Sequence, residues 1–497
     1  MGATFFGHPR GLATLFLTEM WERFTFYGMR AVLILFLVAS VATGGLGLDD
    51  KTAAAIYGLY NAAVYLAALP GGWVADRLVG AQRAVMLGGI FITAGNVLLA
   101  ISTSPKGFYI GLLVIILGVG LLKPNVSAIV AALYPEGGAR LDSAFTIFYI
   151  GINIGGALGP LVIPVAQKFF GLRAGFGAGA VFMALGVVQF YFTRKYLGEA
   201  GVQPAPIHAA GGNHSLIPRS KEWTRLWIGV AILALVVIAA TIGLIPIDAL
   251  QLGQAAAYII AGMGVLYFLY YFLFADLTAE ERRRGVVLVV LFIGCALFFS
   301  GFEQAGSSLN LFAERYTDRM IGWLNFEIPT GWFQSFNSIF IILCAPFFAW
   351  LWIALARRNL NPSAPAKFAL GLMLMGSGFL VMAAAAAIVA HGSKVLPYWL
   401  IMTYLLHTFG ELCLSPVGLS YYTKLAPKRF VGQMMGMWFL ATSLGNLVAG
   451  LIAGEFDANN VPAMSGQYMH IVYFTVGVGA VLLVISRPVK KLMGNVE

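Results

Sequence analysis

Residues 19–30 read EMWERFTFYGMR and lie between the apolar stretches LATLFLT and AVLILFLVA. Glu19, Glu22, Arg23 and Arg30 are therefore ionisable groups inside an apolar run. Carboxylates beside guanidinium groups can pass a proton or hold a charged solute. At about 100° per residue Glu19, Glu22, Arg23, Tyr27 and Arg30 share one side of a helix, and Glu19 and Arg23 are i,i+4 partners. A charge at the bilayer centre costs about 2.5 to 3.5 kcal/mol on insertion scales, so this face is expected to line a polar pathway within a helix bundle. The competing expectation is a buried ion-pair knot that only fixes packing, and four ionisable groups on one helix exceed what packing needs.

Other polar groups stand in apolar runs farther along: Lys123 in GLLKPNVS, Asn153 in YIGINIGGALGP, Glu303 in FSGFEQAGSSLN, Asn337 in WFQSFNSIF and Glu411 in HTFGELCLSPVGLS. Pro124 and Pro416 lie close to Lys123 and Glu411, and a proline frees a carbonyl that a cavity or neighbour must satisfy. Helices broken at a charged midpoint are expected there, as at a substrate site. Arg30 and Lys123 lie in the first half of the chain and Glu303 and Glu411 in the second, so cations of one half are expected to answer carboxylates of the other.

The elements that must position these groups follow from composition. Of 497 residues 60% are hydrophobic and 10% charged, against about 25% charged in a soluble domain, and mean hydropathy is +0.84. A polytopic, all-α membrane protein is implied. Fourteen runs reach the roughly 20 residues a span needs: 12–40, 53–75, 83–102, 107–133, 142–166, 174–197, 224–245, 254–275, 285–311, 328–356, 367–390, 396–424, 430–453 and 467–486. The first carries charges and no small-residue cleavage site, so it reads as a retained helix. The longest polar connection, 198–222, follows the sixth span. With both termini cytoplasmic, most of the 31 Lys and Arg fall in cytoplasmic segments, including Arg282 to Arg284, Arg357, Arg358, Lys428, Arg429, Lys490 and Lys491, as the positive-inside bias requires. Lys168 and Arg173 are exceptions. The net charge of +10 is thereby explained without nucleic acid.

Taken together, ExxERFxxYG, GxxxDRxxGxxR (Gly72 to Arg83), LLKPN, FYxxINxGxxxGP, FEQxxSS, FQSxN and GExxLSPVGLS resemble the proton-dependent oligopeptide transporter (POT) family of the major facilitator superfamily, from the first span to the twelfth. The motif ending at Arg83 is common to the superfamily, whereas the first-span motif and FYxxINxG are specific. The resemblance implies the major facilitator fold: six-helix bundles at 1–197 and 284–497, with two additional helices after the cytoplasmic linker within 198–283. It implies a bacterial inner-membrane symporter, a monomer taking in di- and tripeptides with protons and no other cofactor. Glu19, Glu22, Arg23 and Glu303 would couple protons. Arg30 and Lys123 would hold the peptide carboxylate by charge-assisted bonds, Glu411 the amino terminus, and Asn153 and Asn337 the backbone, with Tyr27, Tyr65, Ser415 and Trp438 lining the site. Arg30 with Glu303, Lys123 with Glu411, and Asp76 would gate it. The family places two tyrosines before the glycine; here Phe26 takes the first place, and a hydroxyl contact is lost.

Other classes fit poorly. No HExxH, GxSxG or phosphate-cradling loop marks an enzyme. Cys295, Cys344 and Cys413 lack the spacing of a disulfide framework or metal site. A channel would need a ring of like groups. The nearest rival is a carrier of the same fold for another anion, such as nitrate or a peptide-like conjugate. Gly151, Gly155 and Gly159 are expected to serve close helix packing, His407 to be structural rather than a proton partner of Glu411, and Trp223, Trp323 and Trp399 to anchor at the interface.

Overall fold

The computed structural model describes residues 4–136, 138–204, 219–244, 248–456 and 460–494. Most of the expected linker, 205–218, lies outside the described residues. The rest is helical: α1 (Arg10–Val38), α2 (Asp50–Val74), α3 (Ala81–Ile101), α4 (Pro105–Ala132), α5 (Gly138–Phe170), α6 (Ala174–Thr193), α7 (Arg219–Thr241), α8 (Ala249–Phe274), α9 (Ala279–Phe302), α10 (Ser308–Tyr316), α11 (Trp332–Arg357), α12 (Ala364–Ala390), α13 (Tyr398–Leu425), α14 (Val431–Ala453) and α15 (Val461–Leu492). The only strands among the described residues pair Met320 with Glu327 and Ile321 with Phe326 between α10 and α11. Helices dominate because a chain in hydrocarbon must satisfy its own backbone. Among the described residues thirteen helical stretches are long and apolar enough to span, α9 and α10 counting as one. α1 has the length, at 29 residues, and is set apart by the charges it carries. The fourteen expected spans are thus all helices.

Packing divides the chain into two compact units, Met1–Met29 with Ala63–Asp248, and Arg30–Ala62 with Ala249–Glu497. Two of the three boundaries fall inside α1 and α2, so each of these helices contributes to both, and the third precedes α8. In the first unit α3 packs on α4 and α6; in the second α12 packs on α13 and α15, and α14 on α8 and α9.

The expected breaks at proline are corrected. α4 runs unbroken through Pro124 and α13 through Pro416, because proline removes only its own N–H and the rest of the ladder holds. The interruption comes instead at Glu303–Gly306, a tight turn between α9 and α10 with no proline in it. A side chain at Gly306 would overlap the Tyr57 hydroxyl of α2. α2 itself starts on Asp49, which accepts from the Thr52 amide at 2.9 Å and hydroxyl at 2.7 Å; the Thr52 amide, ahead of its hydroxyl, holds the Asp49 carboxyl below its ordinary range.

The glycine stripe on α5 does pack closely, on α1. A Cβ at Gly155 would stand 2.9 Å from the Phe24 amide nitrogen and 3.0 Å from Cβ of Arg23, and one at Gly159 would stand 3.0 Å from the Gly28 nitrogen. This crossing fixes the backbone that carries Arg23. Gly155→Leu is therefore expected to cost about 1–3 kcal/mol or more by overpacking, lowering both the folded yield and Tm in detergent. Gly229→Leu, at a position with nothing within 4 Å, is expected to change neither. Equal melting of the two variants would contradict the crossing.

Candidate functional site

In the first unit, the α1 charges form one cluster. Arg23 donates through Nε to Glu22 and through Nη2 to Glu22 Oε1 at 2.6 Å, and its Nε stands 3.3 Å from Glu19 Oε1. Glu19, Glu22 and Arg23 are 3%, 0% and 2% exposed. One guanidinium faces two carboxylates, and Glu19 Oε2 has no hydrogen-bond partner among the described residues. In a desolvated setting that surplus negative charge calls for a proton or a second cation. The Arg23 guanidinium also lies over Phe26 (4.9 Å to the ring centroid) and Tyr27 (5.8 Å). Phe26 thus gives Arg23 a π face where the family pattern has a hydroxyl. On α4, the Lys123 ammonium sits 3.9 Å from the Tyr65 ring centroid. Asn153 is buried on α5 and donates to the Tyr149 carbonyl of its own helix at 3.0 Å. Asp76 is exposed after α2, and its neighbour Arg77 reaches Glu222 of α7 at 3.5 Å.

In the second unit, Arg30 donates to Glu303 Oε2 at 2.8 Å, with the two residues 6% and 3% exposed. Asn310 donates to the Ala31 carbonyl at 2.8 Å, and Arg315 grips Asp50 with two bonds of 2.5 and 2.7 Å. Glu411 accepts from Asn337 Nδ2 at 2.9 Å, and the same nitrogen lies 3.1 Å from Thr408 Oγ1. Thr408 donates to the Tyr404 carbonyl at 2.7 Å, and the Tyr404 hydroxyl donates to the Ala305 carbonyl at 3.3 Å. A polar chain therefore runs from Glu411 to the turn that carries Glu303. Trp438 is buried against Tyr422 and Phe299; Ser415, half-buried on α13, has a hydroxyl without a hydrogen-bond partner among the described residues. His407 is 1% exposed and tilted on Phe379 at 4.9 Å, a placement inside the packed core.

Each unit thus gathers its own share of the expected residues: Glu19, Glu22, Arg23, Tyr27, Tyr65, Lys123 and Asn153 in the first, and Arg30, Glu303, Asn337, Glu411, Ser415 and Trp438 in the second. Sequence reasoning passed over Tyr404 and Thr408, although they precede Glu411 by seven and three residues and so share its helix face. It also passed over the Asp50–Arg315 pair, because both lie beyond the apolar runs. Among the described residues no group of His, Cys, Asp and Glu is placed to hold a metal ion. Each pair described offers buried charge that could exchange its ionic partner for a proton or for a charged group of a solute.

A family model described as POT family matches residues 82–471. The chain is 43% identical over 507 aligned positions to the peptide transporter YePEPT of Yersinia enterocolitica, covering 100% of this chain and 97% of that one. It is 36% identical to a di-/tripeptide transporter of Lactococcus lactis, covering 99% and 98%. It is similar to a crystal structure of a peptide transporter POT in complex with sulfate, with TM-score 0.90, 38% identity and coverage of 99% and 97%. A POT family transporter in complex with 5-aminolevulinic acid gives TM-score 0.86 at 32% identity, covering 98% of each chain.

A buried pair is costly to break singly and cheaper to remove whole. Arg30→Ala and Glu303→Ala are each expected to destabilise the protein by about 3–5 kcal/mol, and the double variant by less than the sum, with coupling of about 0.5–3 kcal/mol. Denaturation of the four proteins in detergent measures this. Additive losses would mean that the pair carries no coupling.

Proposed function

We propose a proton-coupled symporter of di- and tripeptides: the chain belongs to the POT family of membrane transporters, and its buried ionisable groups supply the chemistry such a carrier needs. It is an integral membrane transporter, not an enzyme. The observation that carries the reading is the pair of desolvated clusters, Glu19–Glu22–Arg23 and Arg30–Glu303, each able to trade an ionic partner for a proton or a solute charge. Relatives named as peptide transporters supply the substrate class.

In this reading Arg30 and Lys123 hold the peptide carboxylate and Glu411 the amino terminus. Asn153 and Asn337 bond the peptide backbone, while Tyr27, Tyr65, Ser415 and Trp438 line side-chain space. Contacts made to termini and backbone accept many side chains. Glu19, Glu22, Arg23 and Glu303 carry the proton. Arg30 with Glu303 closes the outer side and Lys123 with Glu411 the inner, with Asp76 at the cytoplasmic turn. Protonating a glutamate, or offering a carboxylate to its cation, opens such a pair. The proton is the only coupling species, and no cofactor is required. We place the protein as a monomer in a bacterial inner membrane with both termini cytoplasmic, its bundles at 1–197 and 284–497 and its linker with two added helices at 198–283.

Competition against a labelled dipeptide in liposomes tests the substrate class. Dipeptides and tripeptides are expected to compete, free amino acids and nitrate to fail, and C-terminal amidation to weaken binding about ten-fold or more, the worth of one charge-assisted contact. Displacement by nitrate would transfer the reading to an anion carrier. Glu22→Gln, which cannot take up or release a proton, is expected to lose accumulation driven by a pH gradient and to retain peptide-for-peptide exchange, which needs no net proton movement. Gradient-driven uptake at wild-type level would remove Glu22 from the proton path.

A further inference from the structure

The fold also grips the α2–α3 turn from two sides with segments that leave and re-enter the linker. The turn is a widened one: the Gly80 amide bonds the Ala75 carbonyl at 2.9 Å, five residues back. On one side lies the stretch that follows α6. The Gln82 amide donates to the Gly201 carbonyl at 2.9 Å, and the Gln82 side chain donates to the carbonyls of Gly198 at 3.1 Å and Ala200 at 2.8 Å. Gly80, at φ 83°, leaves the room that the Val202 carbonyl occupies. On the other side is the first turn of α7. There Glu222 is 0% exposed, and its Oε1 accepts from Arg77 Nη1 at 3.5 Å and Arg225 Nη1 at 2.7 Å.

We infer that Glu222 is a positioning residue for transport, acting through Arg77 to fix the cytoplasmic end of α2, so that the added helix α7 is a clamp on the moving parts rather than a tether. This rests on the transporter reading. The physical argument starts from the asymmetry of the pair. A carboxylate with no solvent access faces two guanidinium groups whose side chains are 37% and 62% exposed. The anion is the desolvated member, so it depends on its cations far more than they depend on it. Arg225 belongs to α7 itself and costs nothing in mobility; Arg77 is the partner that ties α7 to another element. α2 matters because it serves both units: its first turns group with the second, where Arg315 holds Asp50, and its last turns group with the first, where Tyr65 stands beside Lys123. A helix shared between two bodies transmits motion only if its end is held, and Glu222 with residues 198–202 holds it.

The test uses the full-length protein with Glu222→Gln, Arg77→Gln and the charge swap Glu222→Arg with Arg77→Glu. Peptide uptake in liposomes is expected to lose about ten-fold in Vmax in each single variant, the worth of one charged hydrogen bond, with KM held near wild type, and the swap is expected to recover most of that rate. A merely structural Glu222 would lower Tm and yield without this split or rescue. Hydrogen exchange of the purified, substrate-free protein gives a second readout: amides 75–82 are expected to exchange faster in Glu222→Gln and to be protected again in the swap. If the wild type carries no peptide, the transport reading falls while exchange still decides the clamp. Wild-type Vmax in Glu222→Gln, or unchanged exchange across 75–82, would overturn it.

Discussion

Charge that has been taken out of water must be answered by charge or by a proton, and the rest of this structure is arranged around that constraint. α1 carries Glu19, Glu22, Arg23 and Arg30 with none of them more than 6% exposed. Each is met at short range: Arg23 by two carboxylates, Arg30 by Glu303. Close passage of α5 over α1 at Gly155 and Gly159 holds the backbone that carries Arg23 and its carboxylates. The tight turn after α9 begins at Glu303, the carboxylate that answers Arg30.

Such pairs are poor as pure stabilisers, since desolvation cancels much of the attraction, and this suits a carrier. A contact near balance changes hands when a better partner arrives. On the proposed reading a peptide carboxylate would compete for Arg30 or Lys123, and a proton would remove the reason for a glutamate to hold its cation, so substrate and proton would act on the same groups. The energetics allow it. One charge falling through 100 mV releases about 2.3 kcal/mol, enough for roughly fifty-fold accumulation of a neutral dipeptide at one proton per cycle. The polar chain from Glu411 through Asn337, Thr408 and Tyr404 ends on the Ala305 carbonyl, in the turn that carries Glu303.

Much of this is legible in the amino-acid sequence. Apolar run length marks a membrane span with little ambiguity, and the fourteen runs are helical, the ninth divided by the turn at Glu303–Gly306, because lipid offers the backbone no other partner. The α1 cluster is legible for the same reason: a charge in an apolar run stands out, and the i,i+4 spacing of Glu19 and Arg23 names one ionic neighbour, while the hydrogen bonds of Arg23 go to Glu22. Partners distant in sequence were harder. Arg30–Glu303 followed from opposite charges in two halves, but Asp50–Arg315 and Arg77–Glu222 join residues near span ends, where a charge is ordinary and carries no signal. Pro124 and Pro416 misled, since a proline marks a freed carbonyl and need not bend or end a helix held by its neighbours. The turn at Glu303–Gly306 had no proline and was invisible; its constraint is Tyr57 packing on Gly306, a tertiary fact.

The central claim is that peptide and proton move together because they bind the same buried charges. The direct measurement is proton flux caused by peptide: liposomes containing the protein and an internal pH indicator, equal pH on both sides, and a potential clamped negative inside. Adding a dipeptide outside is expected to acidify the interior in proportion to the peptide taken up, and a C-terminally amidated dipeptide to give little of either. Peptide uptake with no accompanying change in internal pH would contradict the account.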